Sequence, residues 1–286
     1  MTRVGLLYDP HIVADPDRRA HDGVAVVERA MAKLSEVGVD WTVVGGDLRS
    51  FVSRDPEKVD WGGWDGDPDD YYYRSDFERA KALFEEGLDE YYVIRGNNDR
   101  PLGVFREVFP REEYPRYFHF EVEGARYVFL DSNPSQGYHH LQETQNYVSS
   151  PQLSMLEALM DDDPEVPTFV FVHAPVAKHT EITGDWETGM GPAYRLTLNH
   201  PSVQRVLERG NTVFVNSGHY YPDDGRGSIR IGGVEYVLAR HLVHSPEPDY
   251  AGDVRWLDVD AGAGTASVHY YDVGADETGT IARRSW

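Results

Sequence analysis

Asp9, His11, Asp47, Asn97, His173 and His219 are the side chains of this chain whose types and placing suit metal chemistry. They fall in five short polar blocks: Asp9-Pro10-His11, Gly46-Asp47, Gly96-Asn97-Asn98-Asp99, His173 and Gly218-His219-Tyr220-Tyr221. Each block ends an apolar, strand-like run: Val4 to Tyr8, Trp41 to Val44, Tyr91 to Ile94, Phe169 to Val172, and Thr212 to Val215. An α/β protein gathers polar side chains in this way at the carboxyl edge of its sheet. Two carboxylates, an amide and three imidazoles arriving together suit a pair of divalent ions that share one carboxylate.

The elements that must position these blocks follow from periodicity. A helical period runs through Val24, Val27, Ala30, Met31 and Leu34, and Gly38 stands where a C-cap belongs. A second helix is expected at Asp76–Glu86, with Phe77, Ala80, Leu83 and Phe84 on one face. Strand, helix and strand alternating in this manner give a largely parallel sheet. Hairpins are expected for Tyr117–Glu121 with Tyr127–Leu130, Ile229–Ile231 with Glu235–Leu238, and Val254–Val259 with Thr265–Tyr271. Between the first two hairpins, helices are expected from Ser150-Pro151 to about Met160 and at Val203–Arg209. The expected fold is therefore two stacked mixed sheets with helices outside, in one domain over residues 1–286. Residues 53–75, with Trp61, Trp64, Tyr71, Tyr72 and Tyr73 among aspartates, show no clear period and read as an acidic, aromatic insert. Such a loop is a lid or recognition element, or an insert packed for solubility.

Composition narrows the chemistry. There is no cysteine, which excludes disulfides, thiolate zinc sites and cysteine nucleophiles. Oxygen and imidazole donors favour Mn²⁺ or Fe and permit Zn²⁺. The formal charge of −22 disfavours nucleic-acid backbones and anionic membranes. Only four residues are lysine (Lys33, Lys58, Lys81 and Lys178), a composition that fits a salty cytoplasm. No apolar run approaches a membrane span or follows Met1 as a signal peptide, so a soluble, cytoplasmic protein is expected. The oligomeric state is not legible.

Taken in order, the five blocks resemble the motifs of the calcineurin-like metallophosphoesterases: Asp-x-His, Gly-Asp, Gly-Asn-His-Asp/Glu, His and Gly-His-x-His. The resemblance spans residues 4 to 221 and implies an αββα sandwich with a two-metal site. It implies that Asp9 and His11 hold the first metal, that Asp47 bridges, and that Asn97, His173 and His219 complete the second. Asn98 and Asp99 fall at its catalytic positions. It further implies a metal-bound hydroxide attacking the phosphorus of a phosphorylated small molecule in line.

Two positions depart from that pattern. Asn98 stands where the family has a histidine that contacts phosphate and protonates the leaving group; an amide donates a hydrogen bond but no titratable proton. Tyr221 replaces the last histidine, and a phenol of pKa near 10 ligates ordinary divalent ions poorly. The first site would then rest on Asp9, His11 and Asp47, with weak or partial occupancy. Tyr8 is bulkier than the residue that often precedes the first motif. Arg100 offers a planar fork for a substrate phosphate, or else a surface ion pair. His139, His140, His241 and His244 are where a compensating ligand or proton donor would be sought. Two functions stay open: a phosphodiesterase or nucleotide-type phosphohydrolase, and a catalytically impaired scaffold that binds a ligand or partner.

Overall fold

In the computed structural model, which describes residues 1–13, 23–49, 68–133, 146–178, 196–219, 227–243 and 251–286, two six-stranded sheets stack face to face. The first is built on β1 (Thr2–Leu7), β2 (Trp41–Val44) and β3 (Tyr91–Val93), which run parallel. It is extended by β10 (Asp253–Asp260), β11 (Thr265–Asp272) and β12 (Glu277–Ser285), each antiparallel to its neighbour, with β10 pairing β1. The second sheet has the order β4 (Phe118–Val122), β5 (Ala125–Leu130), β6 (Thr168–Val172), β7 (Thr212–Ser217), β9 (Val234–Leu238), β8 (Gly227–Ile231). Its four central strands are parallel and its outer pairs are antiparallel hairpins. All three expected hairpins form.

Helices cover both outer faces, which makes the αββα sandwich. α1 (Gly23–Val37) buries Val26, Val27, Ala30, Met31 and Leu34, the stripe that a 3.6-residue period places on one side. It ends at Gly38, whose φ of +75° suits glycine and whose N–H bonds Leu34 O at 3.0 Å. α1, α2 (Pro68–Gly87) and α3 (Leu102–Val108) pack on the first sheet; α4 (Ser150–Asp162) and α5 (His200–Leu207) pack on the second. Between the sheets lies an aromatic core, in which Trp41 meets Tyr127 at 5.1 Å and Phe129 at 6.0 Å between ring centroids. Tyr8 belongs to this core, and its hydroxyl donates to Asn216 O at 2.9 Å.

Three elements differ from the sequence reading. α2 begins at Pro68, eight residues before the expected start, so part of the presumed insert is helix. A proline at the start removes one of the N–H groups that a helix N-terminus leaves unsatisfied, yet the apolar period begins only at Phe77. The remainder of the insert, residues 50–67, lies outside the described residues. α3 and β12 had no sequence signal strong enough to place them: α3 is only two turns long, and β12 is a sheet edge whose residues are exposed or half-buried. No helix among the described residues is long and apolar enough to cross a membrane.

Candidate metal centre

The carboxyl ends of β1, β2, β3, β6 and β7 open on one edge of the sandwich, and backbone hydrogen bonds sew their loops together. Asp9 N donates to Gly46 O at 3.2 Å, His11 N to Asp47 O at 3.0 Å, and Gly218 N to His173 O at 2.9 Å. The chain leaving β9 also passes here: Leu242 N donates to Tyr8 O at 3.1 Å and Val243 N to Asp9 O at 3.2 Å. That last pairing lays His241 beside the first block.

The side chains sort into two adjoining trios. Asp9, His11 and His241 form one; Asp47, His173 and His219 form the other, with the ligand atoms of each trio within 4.8 Å of one another. Asp9 Oδ1 lies 3.5 Å from His241 Nε2 and 3.9 Å from His11 Nε2. In the second group His173 Nε2 lies 3.4 Å from Asp47 Oδ1 and 3.1 Å from Asn97 Oδ1. Two donors each about 2.1 Å from one ion stand between about 3.0 and 4.2 Å apart, from a right-angled to a straight arrangement. All four separations fall in that window.

The protons and lone pairs agree with a cation. His173 Nδ1 is 2.9 Å from Gly45 O and must donate to it, so Nε2 turns a lone pair toward Asn97 and Asp47. His11 Nδ1 is likewise turned to Arg49 O at 3.2 Å. Asp9 Oδ1 is fully buried and accepts no hydrogen bond among the described residues, while Oδ2 accepts from His219 N at 2.9 Å. A buried carboxylate oxygen among imidazole nitrogens, without a donor, is what a metal ligand looks like before the ion is added. Burial, then the charge of Asp47, raise the Asp9 pKa well above the usual range, and burial lowers that of His173 to about 4. Burial and the neighbouring His11, His219 and His173 lower that of His241. His173 and His241 are thus held neutral, the form that binds metal.

The backbone is bent to this purpose. Asp9, His11, Asp47 and His219 have φ of 52°, 44°, 53° and 66°, the left-handed region that L side chains avoid. Four such residues at one sheet edge are held there by the loop hydrogen bonds above. Gly46 (φ +94°) lets two loops meet: a Cβ on it would stand 2.6 Å from His173 Nδ1 and 2.7 Å from Gly96 N.

The other expected site residues take distinct places. Asn98 N and Nδ2 donate to Asp47 Oδ1 and Oδ2 at 2.8 and 2.6 Å, so the residue clamps the carboxylate. Asp99 is fully buried and accepts from Leu48 N at 2.8 Å and Gly96 N at 2.7 Å, tying the second block to the third; burial and Asp47 raise its pKa to about 7. Arg100 is half-buried, and its carbonyl accepts from Arg49 Nε at 3.0 Å. Tyr221, His139, His140 and His244 lie outside the described residues. Asn146, buried and with Nδ2 3.3 Å from His219 Nε2, carried no signal in the sequence, since no motif surrounds it.

The architecture has known counterparts. A dimetal phosphatase from Danio rerio superposes with a TM-score of 0.69 at 13% identity, covering 98% of each chain. The chain has the calcineurin-like metallophosphoesterase fold. Within that fold, a Streptococcus pneumoniae protein described as a predicted phosphoesterase aligns at TM-score 0.41 (10% identity; 100% and 97% of the two chains). A single-residue variant of Vps29 from Entamoeba histolytica aligns at 0.45 (10% identity; 100% and 99%). No family model matches the sequence. Among curated proteins, the 2,3-bisphosphoglycerate-independent phosphoglycerate mutase of Trypanosoma brucei brucei is 32% identical over 117 residues, 37% of this chain and 21% of that protein.

Proposed function

We propose that the chain is a metal-dependent phosphoesterase acting on a phosphorylated small molecule, with a phosphodiester or nucleotide-type substrate preferred. The observation that carries this reading is the pair of adjoining trios at the sheet edge, each spaced for one divalent ion. Asp9, His11 and His241 would hold one ion and Asp47, Asn97, His173 and His219 the other, and the charge of Asp47 is felt at Asp9. Divalent ions bound there supply a nucleophile at neutral pH by lowering the pKa of water, and neutralise charge on the phosphoryl oxygens. Mn²⁺, Fe and Zn²⁺ all accept these oxygen and imidazole donors.

The chain's own residues set the terms of the reaction. Asn98 fixes both oxygens of Asp47 and so aims them. Asp99 locks the two loops and acts by position, its oxygens being spent on backbone N–H groups. Arg100 stands beside this loop as a candidate phosphate clamp. No titratable proton sits at residue 98, so a leaving group that departs as an anion suits this site best. The same clamp favours a second reading, in which the site binds a ligand without turning it over.

The test is metal content after loading with Mn²⁺, together with hydrolysis of bis(4-nitrophenyl) phosphate. Two ions per chain with turnover that disappears in His173→Ala support the enzyme. Two ions without turnover would leave the binding scaffold.

A further inference from the structure

The two trios are assembled from both sheets. Asp9, His11, Asp47 and Asn97 follow strands of the first sheet; His173, His219 and His241 follow strands of the second. Each carboxylate therefore meets an imidazole across the gap between the sheets: Asp9 Oδ1 and His241 Nε2 at 3.5 Å, Asp47 Oδ1 and His173 Nε2 at 3.4 Å. Lengthening either separation by about 1 Å would carry it beyond the span of about 3.0–4.2 Å that one ion bridges.

The side chain placed to hold that gap is Tyr8. It follows β1 directly, precedes the first block, and is buried. Its ring leaves the first sheet, and its hydroxyl donates to Asn216 O of β7, in the second, at 2.9 Å. On the way the ring passes between two glycines that stand next to site loops. A Cβ on Gly45 would run into the ring, and one on Gly218 would stand 2.6 Å from it and also meet Asp9. Neither glycine has a left-handed φ, so it is occupied space that excludes a side chain at each. Gly45 O is 2.9 Å from His173 Nδ1 and orients that imidazole, and Gly218 N donates to His173 O at 2.9 Å. The Tyr8 carbonyl accepts from Leu242 N at 3.1 Å, next to His241. One residue thus abuts the loops of both trios.

We propose that Tyr8 is a positioning residue of the metal centre, a strut between the sheets that sets how far the carboxylates stand from the imidazoles. This role rests on the trios holding metal ions. An aromatic ring suits it, because its length is fixed and only two torsions can move it.

The experiment titrates Mn²⁺ into the whole metal-free chain. Electron paramagnetic resonance reads free Mn²⁺ and, at saturation, the exchange coupling between the two bound ions. Tyr8→Phe removes the hydroxyl and keeps the ring; Tyr8→Leu removes the ring's reach. Phe77→Leu, which shortens a buried ring of α2 in the helix-facing core, controls for lost packing. Mn²⁺ affinity should fall about five-fold in Tyr8→Phe, as for one hydrogen bond. In Tyr8→Leu it should fall about 10–100-fold, as for a lost outer-shell partner, with altered coupling. Phe77→Leu should lose stability in urea and keep wild-type affinity and coupling. Wild-type affinity and coupling in Tyr8→Leu, or an equal loss in Phe77→Leu, would overturn the strut and leave the metal centre standing. Should Tyr8→Leu not fold, Tyr8→Phe decides alone, and wild-type affinity there overturns the strut. A wild type that binds no Mn²⁺ overturns both the strut and the metal centre.

Discussion

Replacing His241 with alanine tests the metal centre where this chain departs most from its motif. His241 Nε2 is 3.5 Å from a fully buried Asp9 oxygen that accepts no hydrogen bond among the described residues, and its ring centroid is 5.0 Å from that of His11. If it is a ligand of the first ion, its loss should weaken that ion at least as much as the loss of an outer-shell partner does, about 100-fold at the upper end. With free Mn²⁺ about 1,000-fold above the wild-type Kd, the first ion stabilises the fold by about 4.1 kcal/mol; a 100-fold weaker site leaves about 1.4 kcal/mol. The difference, about 2.7 kcal/mol, corresponds to about 4–5 °C in Tm for a chain of 286 residues. The assay is the shift in Tm between Mn²⁺ and EDTA, which cancels packing defects common to both conditions, together with metal per chain by mass spectrometry. After dialysis to free Mn²⁺ near the wild-type Kd, His241→Ala should retain one ion, and in excess Mn²⁺ its shift should be smaller by that amount, whereas Tyr221→Phe should keep two ions and the full shift. Wild-type metal content and shift in His241→Ala would refute the assignment, and loss of an ion in Tyr221→Phe would return the ligand to the motif position.

Other perturbations have equally definite outcomes. Asn98→His restores a proton donor and should speed esters with alkoxide leaving groups by about 10²–10⁴-fold, with little gain for nitrophenolate; equal gains for both would remove the general-acid interpretation. Asp99→Asn turns an amide N–H₂ toward the backbone N–H of Leu48 or Gly96 and should cost about 1–3 kcal/mol in urea unfolding. An unchanged unfolding midpoint would mean that the loop clamp contributes nothing. Gly46→Ala adds a Cβ at 2.6 Å from His173 Nδ1 on a φ of +94°, and should cost on the order of 3 kcal/mol and displace His173. A variant that retains both its stability and its second metal would contradict the close approach of these loops.

The sequence by itself determined the strands, their hairpins and the five blocks at their ends, because alternation, helical period and glycine placing are local properties of the chain. It also determined the donor chemistry, since a chain without cysteine leaves only oxygen and nitrogen ligands. The extra turns of α2, all of α3 and the edge strand β12 were not legible: α3 buries Val104, Phe105 and Val108 but is too short for a period to stand out, and β12 is exposed or half-buried along its length. Only the tertiary structure decided how the donors are shared out. His241 stood in the sequence as one of four histidines of equal standing; the pairing of Val243 N with Asp9 O, across more than two hundred residues, is what sets it beside the first block. The same holds for Asn98, which the motif would aim at substrate and which the folded chain turns onto Asp47. Distances between strand ends are set by which strands pair and which sheets stack, and that information does not reside in any local stretch of residues.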